Sequence, residues 1–293
     1  MSAQSKAGAR SAKWVLGAPL LLFAVVFVAI PVFQGIQTSF YDLTLQNPTA
    51  PFAGLRNYGS LFSSPDFLNA AKFTIGFALV VTSIETVLGF FLALLVDRSF
   101  PGKKLVFTML LVPIMIAPAL LGVMFRLLLN GDIGLVPAIL AKVGLQVSLF
   151  APGSVVPLLV VLDVLQWTPF TFLIIYAGLQ SFPTDVLEAA QIDGAGWLRT
   201  LGSVVLPIMK PVLFAAVFLR LIDAIRTFDV IYVLTAGGPG TRTTTLSIFI
   251  YKTAFESGGF GLAAAASTVI MIVLLPLVPL LVKRIARQQG DLP

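Results

Sequence analysis

The chain has no cysteine and no histidine among its 293 residues. The first absence excludes disulfides and thiol nucleophiles, the second excludes imidazole acid–base chemistry, and together they remove the ordinary zinc motifs. No catalytic residue and no metal ligand set can be named. Charge is scarce as well, with 11% of residues charged against about 25% in ordinary soluble domains. So little charge cannot cover the surface of a water-soluble protein of this length. The phosphate-cradling pattern G-x-x-x-x-G-K-[ST] is also missing. Its nearest fragment, "FPGKK", lacks the upstream glycine and the hydroxyl residue. No fixed-period repeat and no low-complexity linker is found, so one membrane domain is the economical description.

What is present is hydrophobic sequence, 58% of the chain. Runs long enough to cross roughly 30 Å of hydrocarbon fall at about Trp14 to Gln37, Phe73 to Val96, Leu105 to Leu129, Val155 to Leu179, Val204 to Leu234 and Gly258 to Val282. The expectation is an all-α polytopic membrane protein of six spans. An outer-membrane barrel would show short alternating segments instead. The first run is about twice the length of a signal-peptide core and lacks an evident cleavage site, so it reads as a retained helix.

The cations are distributed unevenly. With the N-terminus inside, Lys6, Arg10, Lys13, Arg98, Lys103, Lys104, Arg199, Lys210, Lys283, Arg284 and Arg287 are cytoplasmic, and only Arg56, Lys142, Arg242 and Lys252 are external. This positive-inside pattern predicts cytoplasmic termini and accounts for the basic balance through the membrane, without a nucleic-acid partner. Asp42 to Lys72 and Asn130 to Ser154 then become external loops. The aromatics Phe52, Tyr58, Phe62 and Phe67 in the first are expected as interfacial anchors.

One polar stretch stands out, "SFPTDVLEAAQIDGAGWLRTLGSVVLP", on the cytoplasmic side. Asp185 and Glu188 have the spacing of a capping box, which predicts a short helix from Thr184 to about Asp193, ended by Gly194 and Gly196. Trp197, Leu198, Leu201, Val204 and Val205 predict a second, amphipathic helix. The small residues Ala189 and Ala190 beside Glu188 suit insertion into a partner's groove; an element that only returns the chain to the bilayer is the alternative.

The run Glu188-Ala189-Ala190, Gly194 six residues after the Glu, and Leu206-Pro207 twelve further on resemble the EAA loop of membrane subunits of binding-protein-dependent ABC importers. "FAGLRNYGSLFSSPDF" and "FDVIYVLTAGGPGTRTTTLSIFIYKTAF" are similar to the carbohydrate-uptake branch, which includes the larger maltose-transporter subunit and glycerol-phosphate and polyol permeases. Two departures are Phe73 where Asn would stand before Thr74, and the short first external loop. The resemblance implies a type I ABC importer permease fold. It implies a tail at 1–13, a first helix and external loop at 14–68, the transmembrane core at 69–288 with its coupling loop at about 181–206, and a tail at 289–293. It further implies a multi-pass protein of the bacterial inner membrane. The partners implied are a second related permease, two copies of a cytoplasmic ATPase subunit holding ATP and magnesium, and an external solute-binding protein. The coupling residues would be Glu188, Ala189, Ala190, Asp193 and Gly194.

Glu85, Arg126, Asp163, Arg220, Asp223, Arg226 and Asp229 fall within the apolar runs. Each would cost about 2.5–3.5 kcal/mol at a lipid-facing helix centre, so they should face protein or a wet cavity. In "RLIDAIRTFD" the charges alternate at i, i+3 and can pair along one helix, about 15 to 25 Å from Lys210. The resemblance maps solute-contacting positions onto Trp167, Arg220, Asp223, Ala224 and Thr227. The reading is a non-enzymatic permease for a sugar, polyol or related solute. An anionic solute such as glycerol phosphate, drawn by Arg220 and Arg226, is the alternative within this class. An ion-coupled transporter using Glu85 or Asp163 is the alternative outside it.

Overall fold

The computed structural model describes residues 17–20, 22–47, 49–145, 148–182, 184–276 and 279. The expected tails with their cations, the start of the first run at Trp14 and the end of the last at Val282 lie outside these residues. The described chain is helical, with a single isolated bridge between Tyr41 and Phe52.

The elements in order are α1 (Gly17–Thr38), α2 (Arg56–Ser63), α3 (Pro65–Asp97), α4 (Lys103–Met115), α5 (Pro118–Leu128), α6 (Leu135–Lys142), α7 (Val155–Gln180) and α8 (Thr184–Ile192). They are followed by α9 (Trp197–Ile225), α10 (Asp229–Thr235), α11 (Leu246–Tyr251) and α12 (Phe260–Leu274). Helices α1, α3, α7 and α9 are each long and apolar enough to cross a membrane. The third expected span is a pair, α4 and α5, bent by 95°. Pro118 opens α5 and pushes Ala117 to ψ 132°, since a residue before proline is driven out of the helical region. The fifth span breaks after Ile225, and α10 begins at Asp229 after three intervening residues. The amphipathic helix expected after Gly196 is not separate; it runs through a π-wound turn at Leu201–Val205 into α9.

Two compact units emerge. In the first, residues 17–64 with Ile250–Val273, buried Asn57 donates to the Ser39 and Tyr41 carbonyls, both at 2.9 Å. Phe52 and Phe62 are exposed, as an interfacial anchor requires. Tyr58 instead turns its hydroxyl to Ser39 at 2.6 Å.

The second unit, Pro65–Phe249, is organised by α3, α7 and α9. Gly89 on α3 lets the helices close: a Cβ there would lie 2.5 Å from Thr171 Oγ1 and 2.8 Å from the Phe172 amide nitrogen on α7. Gly178 plays the same part between α7 and α9, facing Val212 and Met209. Phe67, expected as an anchor, is buried edge-on against Phe249 because this helix face turns inward. Two apolar clusters result. One contains Val81, Leu159, Leu162, Ala224, Ile231 and Ile248. The other contains Phe90, Val96, Phe172, Ile175, Met209 and Ala216. Along all three helices the charged residues Glu85, Asp163 and Arg220 fall between the two.

Candidate functional site

Arg220 is the largest fully buried side chain among the described residues. Its Nε donates to Glu85 Oε2 at 2.6 Å and its Nη2 to Glu85 Oε1 at 3.1 Å. Nη2 also pairs with Asp163, and Nη1 donates to Asp223 Oδ2 at 3.0 Å. Trp167 covers the guanidinium face, 5.1 Å from ring centroid to Cζ. One cation thus ties α3, α7 and α9 together, which makes charge tolerable inside an apolar bundle. Thr171 adds a further link, donating to the Glu85 carbonyl at 2.8 Å.

The expected ladder along "RLIDAIRTFD" exists only in its first rung. Arg220 and Asp223 pair, but the helix ends at Ile225, and Arg226 and Asp229 lie exposed on either side of the break, in no ion pair among the described residues. The principal partners of Arg220 come from other helices.

Of the positions mapped to solute contact, Asp223 keeps 47% of its side chain exposed. Thr227 is half-buried in the break, and its hydroxyl makes no hydrogen bond among the described residues. Trp167 is half-buried over the Arg220 guanidinium. Arg220 has no exposure, and Ala224 sits at 1% within an apolar cluster.

The break itself is braced by the segment Thr243 to Ser247, whose role sequence reasoning missed although the run "TTT" was visible in it. Thr245 donates to the Thr227 carbonyl at 3.0 Å and Ser247 to the Arg226 carbonyl at 3.2 Å. Thr243 donates to the Gly238 carbonyl at 2.7 Å and Thr244 to the Gly237 carbonyl at 3.1 Å. Thr74 accepts the Leu246 amide at 2.8 Å. Irregular backbone inside a bundle persists only where such partners replace the lost helical bonds or where it lines a wet cavity.

The second candidate region is α8 and its turn. Glu188 and Ala189 are exposed and Ala190 is buried. Gly194 stands at φ +69°, and the Ala195 amide donates back to the Ala190 carbonyl at 3.0 Å. This is a left-handed helix stop closed by a six-to-one bond. Gly196, expected to share that work, is instead extended and leads into α9. Asp193 is exposed beside the stop. Leu187 packs inward, and a cavity of about 380 Å³ between α8 and the ends of α3 and α7 is lined by Leu94, Phe182, Leu187, Trp197 and Leu201 among others.

Residues 85–288 match the family described as "Binding-protein-dependent transport system inner membrane component". The chain is 36% identical over 275 residues to a trehalose/maltose transport system permease protein, MalF, of Thermococcus litoralis, covering 92% of this chain and 93% of that one. It is 33% identical over 266 residues to an sn-glycerol-3-phosphate transport system permease protein, UgpA, of Pectobacterium atrosepticum, covering 90% of each. Its fold is similar to a chain of a bacterial alginate ABC transporter in complex with an alginate pentasaccharide-bound periplasmic protein. The TM-score is 0.82 at 21% identity, over 99% of this chain and 98% of that one.

Proposed function

The chain belongs to the family of binding-protein-dependent transport system inner membrane components, a permease with its ATPase on a separate subunit, and we propose that its cargo is a sugar, polyol or related polyhydroxylated solute. The names of its relatives support that class. The observation that carries it is a set of partly exposed groups, the Asp223 carboxylate and the unbonded Thr227 hydroxyl by the helix break and the Trp167 indole over Arg220. A carboxylate and a hydroxyl bind solute hydroxyls, and an indole covers the C–H face of a sugar ring.

One such chain supplies one wall of a path, so a second related permease completes it. Of two copies of a cytoplasmic ATPase subunit, which hold the ATP and magnesium, one docks on the exposed face of α8 and its turn formed by Glu188, Ala189, Asp193 and Gly194, with Ala190 buried beneath it. An external solute-binding protein delivers the cargo. Closure of the ATPase pair moves α8, and because α8 is joined through a four-residue linker to α9, that motion reaches the helix carrying Arg220 and Asp223. Both termini lie in the cytoplasm.

The test is reconstitution of the complete complex in proteoliposomes with its solute-binding protein, followed by uptake of radiolabelled trehalose, maltose and glycerol 3-phosphate. ATP-dependent uptake of a neutral sugar is the expected result. Uptake that persists without the ATPase subunit, driven by an ion gradient, sinks the reading.

A further inference from the structure

The neutral or anionic nature of the cargo turns on what Arg220 does. A guanidinium carries five N–H donors. Here Nε is spent on Glu85, Nη2 on both Glu85 and Asp163, and Nη1 on Asp223, while Trp167 covers one face. The side chain has no solvent-exposed surface. A solute in the path cannot reach it while Asp223 and Trp167 hold their places over it.

We infer that Arg220 is a positioning residue, an internal counter-ion that aims the Asp223 carboxylate and the Trp167 ring at the path, so that the solute meets an acidic and aromatic surface and anions are rejected. This rests on the reading of the break as the solute path. Three carboxylates surround the one guanidinium, and the only one with substantial exposure is Asp223. A carboxylate accepts hydrogen bonds and donates none, so the centre selects solutes rich in hydroxyl donors. Arg226 and Asp229, exposed at the two ends of the break, add one charge of each sign and do not alter the balance. The clamp also explains why Glu85 and Asp163 are buried where no solute reaches them: they fix the guanidinium, and the guanidinium fixes Asp223.

The natural absence of cysteine supplies the test. Thr227→Cys is introduced, the complete complex is trapped with nucleotide and vanadate, and alkylation of this chain by a small maleimide is followed by mass spectrometry. Maltose or trehalose should slow alkylation, and glycerol 3-phosphate should not. Adding Glu85→Gln will lower the yield of complex, and in the complex that does assemble it should raise the sugar concentration for half-protection by roughly tenfold, the loss expected when a charged hydrogen-bonding group is misaimed. A purely structural role for the clamp would lower the yield of complex and leave half-protection where it was, and that result overturns the inference. Asp223→Asn is the second variant, safer for folding because its side chain is half exposed. It should weaken sugar protection and let glycerol 3-phosphate begin to protect; continued exclusion of the anion also counts against the proposal. Protection by glycerol 3-phosphate in the otherwise unaltered chain, lost in Arg220→Lys, would make Arg220 the ligand. If no solute protects Thr227→Cys at all, the path reading falls first and this inference with it.

Discussion

Glu85 and Arg220, 135 residues apart in sequence, meet fork to fork, with nitrogen-to-oxygen distances of 2.6 and 3.1 Å. Neither has exposed surface. Removing one partner of such a buried pair strands the other, which costs about 3–5 kcal/mol. Arg220→Met should therefore lower the thermal stability of the assembled complex sharply. The double variant Glu85→Met/Arg220→Met should lose less than the sum of the two singles, because the stranded charge of the pair is gone. Additive losses in thermal denaturation would show that the pair is not coupled.

The approach of α3 to α7 depends on one missing methyl group. Gly89→Ala would place a Cβ against Thr171 and the Phe172 backbone, whereas Gly76 on the same helix has nothing within 4 Å. Overpacking of this kind costs about 1–3 kcal/mol. Gly89→Ala should reduce the yield and thermal stability of complex, with Gly76→Ala as its neutral control. Equal behaviour of the two would contradict the close helix contact.

At the end of α8, Gly194 has open space around it but a left-handed backbone. A side chain there is strained by roughly 1–2 kcal/mol without clashing, whereas Gly196 is at φ −65° and imposes no such demand. Gly194→Leu should uncouple ATP turnover from transport or weaken ATPase-subunit binding, and Gly196→Ala should be tolerated. Full transport-coupled ATPase activity in Gly194→Leu would remove the turn from the coupling mechanism.

Thr227→Val keeps shape and deletes one hydroxyl that has no partner within the described protein. If that hydroxyl serves the solute, the change costs about 0.5–1.5 kcal/mol of binding. Uptake at limiting solute should fall while assembly and basal ATPase activity hold. Unchanged apparent affinity in both Thr227→Val and Trp167→Ala would take the break out of the path.

Orientation is open to a direct check. Cysteines at Ser63 and Thr241, both exposed, should react with an impermeant thiol reagent applied to spheroplasts, while one at Ser2 should not. Thr241 is chosen over Thr243, which lies in the same polar loop but is fully buried. Labelling of Ser2→Cys from outside would invert the topology.

Membrane class, the positions of the apolar runs that form α1, α3, α7 and α9, and the α8 turn were legible in the residues alone, because each depends on local physics. Hydrocarbon thickness sets the length of a run, and a glycine where a helical pattern stops supplies the left-handed residue that ends it. The 95° bend at Pro118 was half legible: proline marks the place, but neighbouring helices set the angle. The pairing of the charges was not legible. Reading along one helix assigned Arg220 to Asp223 and the rest of the ladder to Arg226 and Asp229, whereas its strongest partners are 57 and 135 residues away in sequence on α7 and α3. Helical period says which residues share a face, but not which face meets which. That was decided by Gly89 and Gly178, which let three backbones approach until Glu85 and Asp163 reached Arg220. The same packing buried Ala224, closed off Arg220 and left Asp223 open at the break.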